Sequence, residues 1–84
     1  MRKKSISKIN NELKDIISDV ANMPKFSIKN STDLQKHLGI DSFATTEILV
    51  AIEQKYGIKI EKADAFNVRT FKDVMKLTRQ YLKE

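Results

Sequence analysis

Asp41 and Ser42 are the residues of this chain whose types and position could do chemistry. They sit within residues 38–54, LGIDSFATTEILVAIEQ, a stretch without Lys or Arg in a chain that has 16 of them against 11 Asp and Glu. Gly39 precedes the pair and helically spaced apolar residues follow it. Loop therefore turns to helix at this point, and Asp41 and Ser42 mark a helix N-terminus. Free backbone N–H groups and the helix dipole favour an anion there, so a phosphate attached to an exposed serine hydroxyl would be well accommodated. The same pair also reads as an ordinary N-cap, by Ser42 or by Asp41. On spacing alone the plain N-cap is the better account, because Asp-Ser ahead of a helix is common.

Little else in the sequence offers reactive groups. There is no cysteine, so disulfides, thiolate nucleophiles and zinc–thiolate sites are excluded. The lone histidine, His37, rules out histidine-pair metal sites and makes a self-contained catalytic triad improbable. It follows Gln35 and Lys36 on a polar stretch and reads as a solvated side chain. Glu47 and Glu53 lack a partner base. No catalytic residue and no metal site are expected.

With 84 residues the chain makes one domain, residues 1–84. A chain this small buries only roughly 60–65% of its unfolded surface. Hydrophobic residues at 40% suffice for one small core, while 7% aromatic gives little bulk for a large cavity. Met1-Arg2-Lys3-Lys4 resembles the charged head of a signal peptide, but Ser, Asn, Glu and Lys interrupt every apolar run behind it. No stretch reaches membrane-spanning length, and a soluble cytoplasmic protein is expected. The net charge of +5 is unevenly spread: +4 over residues 1–30, −2 over 31–64 and +3 over 65–84. Basic ends could meet nucleic acid, whereas the acidic middle calls for a different partner.

The elements that must position Ser42 follow from periodicity. Ile6, Ile9, Leu13, Ile16, Ile17 and Val20 make one apolar helical stripe, with Ser5 or Ser7 as N-cap and a stop near Met23 ahead of Pro24. Residues 24–41 form a long connection with its own short helix. Thr32-x-x-Gln35 has capping-box form there, Gly39 is a stop, and Leu34, Leu38 and Ile40 anchor the loop to the core. Residues 42–56 form a helix burying Phe43, Ile48, Leu49, Ile52 and Tyr56, ended by Gly57. Ile58-Lys59-Ile60 is a short extended link, and residues 61–66 make one or two helical turns. Thr70-x-x-Asp73 opens a last helix whose spacing runs through Phe71, Val74, Met75, Leu77, Thr78, Tyr81 and Leu82. No segment alternates long enough to make a strand. The fold class is all-α: three sizeable helices and one or two short ones in a small bundle.

Leu38-Gly39-Ile40-Asp41-Ser42-Phe43, then Glu47-Ile48-Leu49, Ile52-Glu53 and Tyr56-Gly57-Ile58-Lys59-Ile60, resemble the acyl carrier protein family. That family's hallmark is a Leu-Gly-x-Asp-Ser-Leu segment leading into a helix of the form Glu-Leu-Val-x-x-Leu-Glu-x-x-Phe-Gly-Ile-x-Ile. The resemblance spans nearly the whole chain. It implies a four-helix bundle with a long first loop and a short third helix. It also implies that Ser42 accepts 4′-phosphopantetheine from coenzyme A through a separate phosphopantetheinyl transferase, and that acyl or aminoacyl groups ride on the arm's thiol as thioesters. A chain without cysteine would thus import its thiol. By the same analogy Asp41 aids transferase recognition. Phe43, Glu47, Glu53, Glu61 and Asp64 would face loading and processing enzymes that carry basic docking patches. Ile48, Leu49, Ile52, Ile60, Phe66, Phe71 and Val74 would line the bundle interior, where this family can sequester an acyl chain. The resemblance further implies a monomeric carrier and not an enzyme, with neither nucleic-acid binding nor membrane insertion.

Departures from the family pattern point to a specialised fatty-acid, polyketide or related pathway. Phe43 stands where an aliphatic residue usually follows the serine, Ala44 and Thr46 replace residues that are often acidic and aliphatic, and Gln54-Lys55 dilutes an acidic run. The net charge is opposite to that of typical members. A competing reading is a small basic helical module for nucleic acid or an anionic surface, using Arg2, Lys3, Lys4, Lys8, Lys25, Lys29, Arg69, Lys72, Lys76 and Arg79. Its last-helix stripe lacks interleaved aromatic or amide residues suited to reading bases. A carrier fold that has lost its arm is a third reading, against which the presence of Ser42 argues.

Overall fold

A computed structural model describes residues 6–82. Arg2, Lys3, Lys4 and Ser5, named above as basic contacts and a cap, lie outside the described residues. The architecture is all-α, with helices α1 (Ile6–Ala21), α2 (Leu34–Leu38), α3 (Ser42–Tyr56), α4 (Lys62–Ala65) and α5 (Phe71–Leu82), plus a 3₁₀ turn at Lys25–Ser27. Helices α1, α3, α5 and the short α4 form the expected bundle, and α2 lies within the long first loop. Among the described residues the only β pairing is an isolated bridge between Asp33 and Thr70.

The helix ends follow local chemistry. At the end of α1, Asn22 takes a left-handed conformation with φ 58°, and Met23 N–H donates back to Ser18 O at 3.2 Å. This is the glycine-type C-terminal closure made by asparagine, which tolerates positive φ. Gly39 and Gly57 end α2 and α3 with φ 66° each. The expected Thr32–Gln35 box does not form. Asp33 is the N-cap instead, its Oδ1 accepting from Gln35 N and Lys36 N. Those two backbone donors, Lys36 first, hold its carboxyl below the usual carboxylate range, together with the Arg69 charge. Thr32 turns into the loop, where its Oγ1 accepts from Lys29 N at 2.7 Å. At α5 the reciprocal box does form: Asp73 Oδ2 accepts from Thr70 N and Thr70 Oγ1 accepts from Asp73 N, at 3.0 and 3.2 Å.

The core gathers Ile9, Leu13 and Ile17 of α1, Ile48, Leu49 and Ile52 of α3, and Phe71, Val74, Met75 and Leu77 of α5. Helix α1 packs against both α3 and α5. From the long loop, Ile28, Leu34 and Ile40 enter the same core, so the loop is anchored by three buried side chains. Ile28 escaped the sequence reading because it stands alone between polar residues. Tyr56 Oη donates to Glu12 Oε1 at 2.6 Å, linking α3 to α1. Partial burial, and then this bond to a carboxylate, push the phenol well above its usual pKa.

Two apolar residues stand elsewhere than expected. Phe43 is 73% exposed and Phe66 is 86% exposed. Phe43 lies five residues before buried Ile48, which places it well round the helix from the core-facing stripe. At Phe66, the partly buried neighbours Ala65 and Val68 take the inward positions and the ring projects outward.

Helix α4 contains no buried residue, and a polar clasp places it. Tyr81 Oη in α5 donates to Asp64 Oδ2 at 2.5 Å and accepts from Glu61 N at 3.1 Å. The bond to the Asp64 carboxylate raises the phenol's pKa.

Replacing Ile52 by Ala is expected to cost about 2–5 kcal/mol in urea unfolding, whereas Phe66→Ala should change stability by no more than about 0.5 kcal/mol. Similar losses for both would contradict the placement of Phe66. Tyr81→Phe is expected to speed amide exchange at Glu61 while leaving the amides of α1 unchanged; equal exchange in the two proteins would show that the clasp does not hold α4.

Candidate functional site

The site lies where the long loop meets α3. Ile40 is buried beneath this junction and Asp41 begins the helix as its N-cap, Oδ1 accepting from Ala44 N at 2.9 Å. Of the two caps that the sequence allowed, Asp41 is the one used. Ser42 is the first helical residue and is exposed. The two threonine hydroxyls that follow fold back onto the helix: Thr45 Oγ1 donates to Asp41 O and Thr46 Oγ1 to Ser42 O, at 2.9 and 3.0 Å. The Ser42 hydroxyl makes no such bond among the described residues. It is solvated, uncommitted, and fixed in position by the helix below it.

Ser42 opens onto a cleft of about 330 Å³ between α2, the first half of α3, and α4 with its following link. Leu34, Ile40, Leu49, Ala65, Phe66 and Val68 give it an apolar lining, and Asp41, Thr45, Lys62 and Arg69 are among its polar neighbours. Of the residues expected to line an acyl cavity, Leu49 and Phe66 border this cleft. Ile48, Ile52, Phe71 and Val74 are instead packed into the core, and Ile60 is half-buried against it. Ala65 and Val68 border the cleft as well, although neither stood out in the sequence. Their inward aim depends on how α4 sits, which no local pattern encodes.

The acidic candidates divide into two groups. Glu47 and Glu61 are exposed, as is Phe43 beside the serine. Glu53 is turned inward, its Oε2 accepting from Ile60 N at 2.7 Å, so it staples the α3–α4 link. Asp64 receives the Tyr81 hydroxyl. Glu53 and Asp64 therefore each have structural work within the chain. His37 is exposed, and its Nδ1 accepts from Asp33 N at 2.8 Å, one turn back. On the basic side, Arg69, Lys72, Lys76 and Arg79 are exposed, while Lys25 pairs with Asp15 at 2.9 Å.

An exposed hydroxyl at a fixed helix start, open to solvent and to an apolar cleft, fits a covalently attached arm: the phosphate end needs water and room, and the chain beyond it needs an apolar lining. Comparison with known proteins points the same way. The family pattern described as "Phosphopantetheine attachment site" matches residues 11–77. Acyl carrier protein of Rickettsia canadensis is 32% identical over 77 residues, 92% of this chain and 85% of that protein. Acyl carrier protein of Acidothermus cellulolyticus is 30% identical over 63 residues, 75% of each. Among solved structures, the apo doublet acyl carrier protein from prodigiosin biosynthesis superposes with a TM-score of 0.76 at 18% identity, over 93% of this chain. The chain spans 39% of that doublet, and at this identity the likeness speaks for the fold. No helix among the described residues is long and apolar enough to cross a membrane. The chain belongs to the acyl carrier protein family, whose members carry 4′-phosphopantetheine covalently and act as carriers, not as enzymes.

Proposed function

We propose that Ser42 is the attachment residue and that residues 1–84 work as one monomeric cytoplasmic carrier domain, serving a specialised fatty-acid, polyketide or related pathway. The observation that carries this reading is the uncommitted hydroxyl of Ser42: Asp41 caps α3 in its place and the neighbouring threonines are satisfied on the backbone. Its Oγ would attack the phosphorus of the coenzyme A pyrophosphate nearest the pantetheine. One P–O bond forms and the bond to adenosine 3′,5′-bisphosphate breaks; the hydroxyl proton passes to a base of the transferase. Once attached, the arm supplies the thiol on which acyl or aminoacyl groups ride as thioesters.

This chain's own residues hold the arm's root and present the surface that partners read. Phe43 and Glu47 project from α3 just beyond Ser42, giving a ring and a carboxylate to the transferase and to client enzymes with basic docking patches. Glu61 extends that surface. Glu53 and Asp64 contribute through the field of the whole patch, since their carboxylates also serve internal bonds. Complementary charge of this kind governs encounter rate more than final affinity.

Incubation with coenzyme A, magnesium and a promiscuous phosphopantetheinyl transferase is expected to add the mass of one phosphopantetheine to this protein and none to Ser42→Ala. A chain that gains no mass with several transferases would refute Ser42 as the acceptor. Glu47→Lys should slow modification roughly tenfold at low salt, with the difference shrinking as salt rises. Equal rates at low salt would remove Glu47 from the docking surface.

A further inference from the structure

Two cations on the cleft have no role in the reading above. Lys62 is the first residue of α4 and Arg69 lies in the link before α5; both are exposed and both line the cleft that Ser42 opens onto. Lys62 has no ion pair among the described residues. Arg69 Nε stands 3.9 Å from Asp33 Oδ2 with its side chain two-thirds exposed, and the other oxygen of Asp33 already accepts from Gln35 N and Lys36 N. The remaining charge on the cleft is Asp41, whose Oδ1 is held by Ala44 N. The lining therefore carries two positive charges and one negative charge beside a free hydroxyl.

We propose that Lys62 and Arg69 hold the phosphodiester of an arm attached at Ser42. A phosphodiester bears one negative charge throughout the pH range of a folded protein, so its attachment gives Lys62 a partner and Arg69 a second anion beside Asp33. Arg69 offers a planar fork of donors that can meet two phosphate oxygens, and Lys62 offers a mobile point charge. Both cations come from the α4 side of the cleft and Ser42 from the α3 side. Pairing would tie the root of the arm across the opening and aim the chain beyond it over Leu49, Ala65 and Val68. This inference rests on Ser42 being the attachment residue, and the test separates the two.

Phosphorus NMR of the modified protein provides that test, with the same protein unfolded in urea giving the resonance of an unheld arm. In the folded protein the resonance should be displaced from that position and should return toward it in about 1 M salt, where charges are screened beyond about 3 Å. The double variant K62Q/R69Q should lose most of the displacement, K62R/R69K should keep it, and K72Q/K76Q should match the original protein. Amide spectra of each variant report whether the fold is kept, and both substituted side chains are exposed. A displacement unchanged in K62Q/R69Q, or a folded protein whose resonance coincides with the unfolded one, overturns the pairing while leaving Ser42 as the acceptor. Absence of any mass gain on modification overturns both readings.

Discussion

Three backbone hydrogen bonds between the long loop and the start of α5 hold this structure in its working shape. Phe71 N donates to Thr32 O, Lys72 N to Asn30 O, and Leu34 N to Arg69 O, at 3.0, 3.0 and 2.9 Å. The first N–H groups of a helix have no partner within it, and the loop carbonyls supply those partners to α5. In return α5 fixes a loop that would otherwise be costly to order over so many residues. Leu34 and Ile40 can then reach the core from defined positions, and Ile40 lies two residues before Ser42. The serine's place on the molecule thus depends on contacts made some thirty residues further along the chain.

Division of labour among polar groups lets so small a protein keep a free hydroxyl at a helix start. Asp41 takes the capping duty, so Ser42 is spared it. Glu53 and Asp64 hold down the link and the short helix that form the far side of the cleft. Helix α4 depends on that clasp because it buries no residue of its own. Segments with few buried contacts are the ones that open at low free-energy cost. The side of the cleft most able to adjust is therefore the one facing the serine.

The charge pattern acquires a spatial meaning in the folded chain. Glu47 and Glu61 are exposed on α3 and at the start of α4, Lys72, Lys76 and Arg79 are exposed on α5, and the cations Lys62 and Arg69 line the cleft beside the serine. A basic total is compatible with a locally acidic surface because charges act over about a Debye length, near 8 Å in physiological salt. Which charges are neighbours therefore matters more than their sum.

Much of this could be read along the chain. Helices show in the sequence wherever an apolar stripe at period 3.6 meets a boundary signal: α1 carries such a stripe ahead of Pro24, α3 one ended by Gly57, and α5 one opened by Thr70 and Asp73. Asp41-Ser42, the short link, the Thr70–Asp73 box and the family resemblance were legible for the same reason: each is a local pattern at fixed spacing. Decisions between equivalent local choices were not legible. Asp33 displaced Thr32 as the cap because the loop required the Thr32 hydroxyl for Lys29 N. Phe43 and Phe66 stayed outside because side-chain type does not report which way an element faces its neighbours. The cleft itself, with Ala65, Val68, Lys62 and Arg69 brought beside Ser42, came only with the packing. Sequence determined the elements and the place of the serine at a helix start through short-range periodicity and capping. Tertiary structure alone decided what surrounds that serine, because the contacts that set it join residues far apart in the chain.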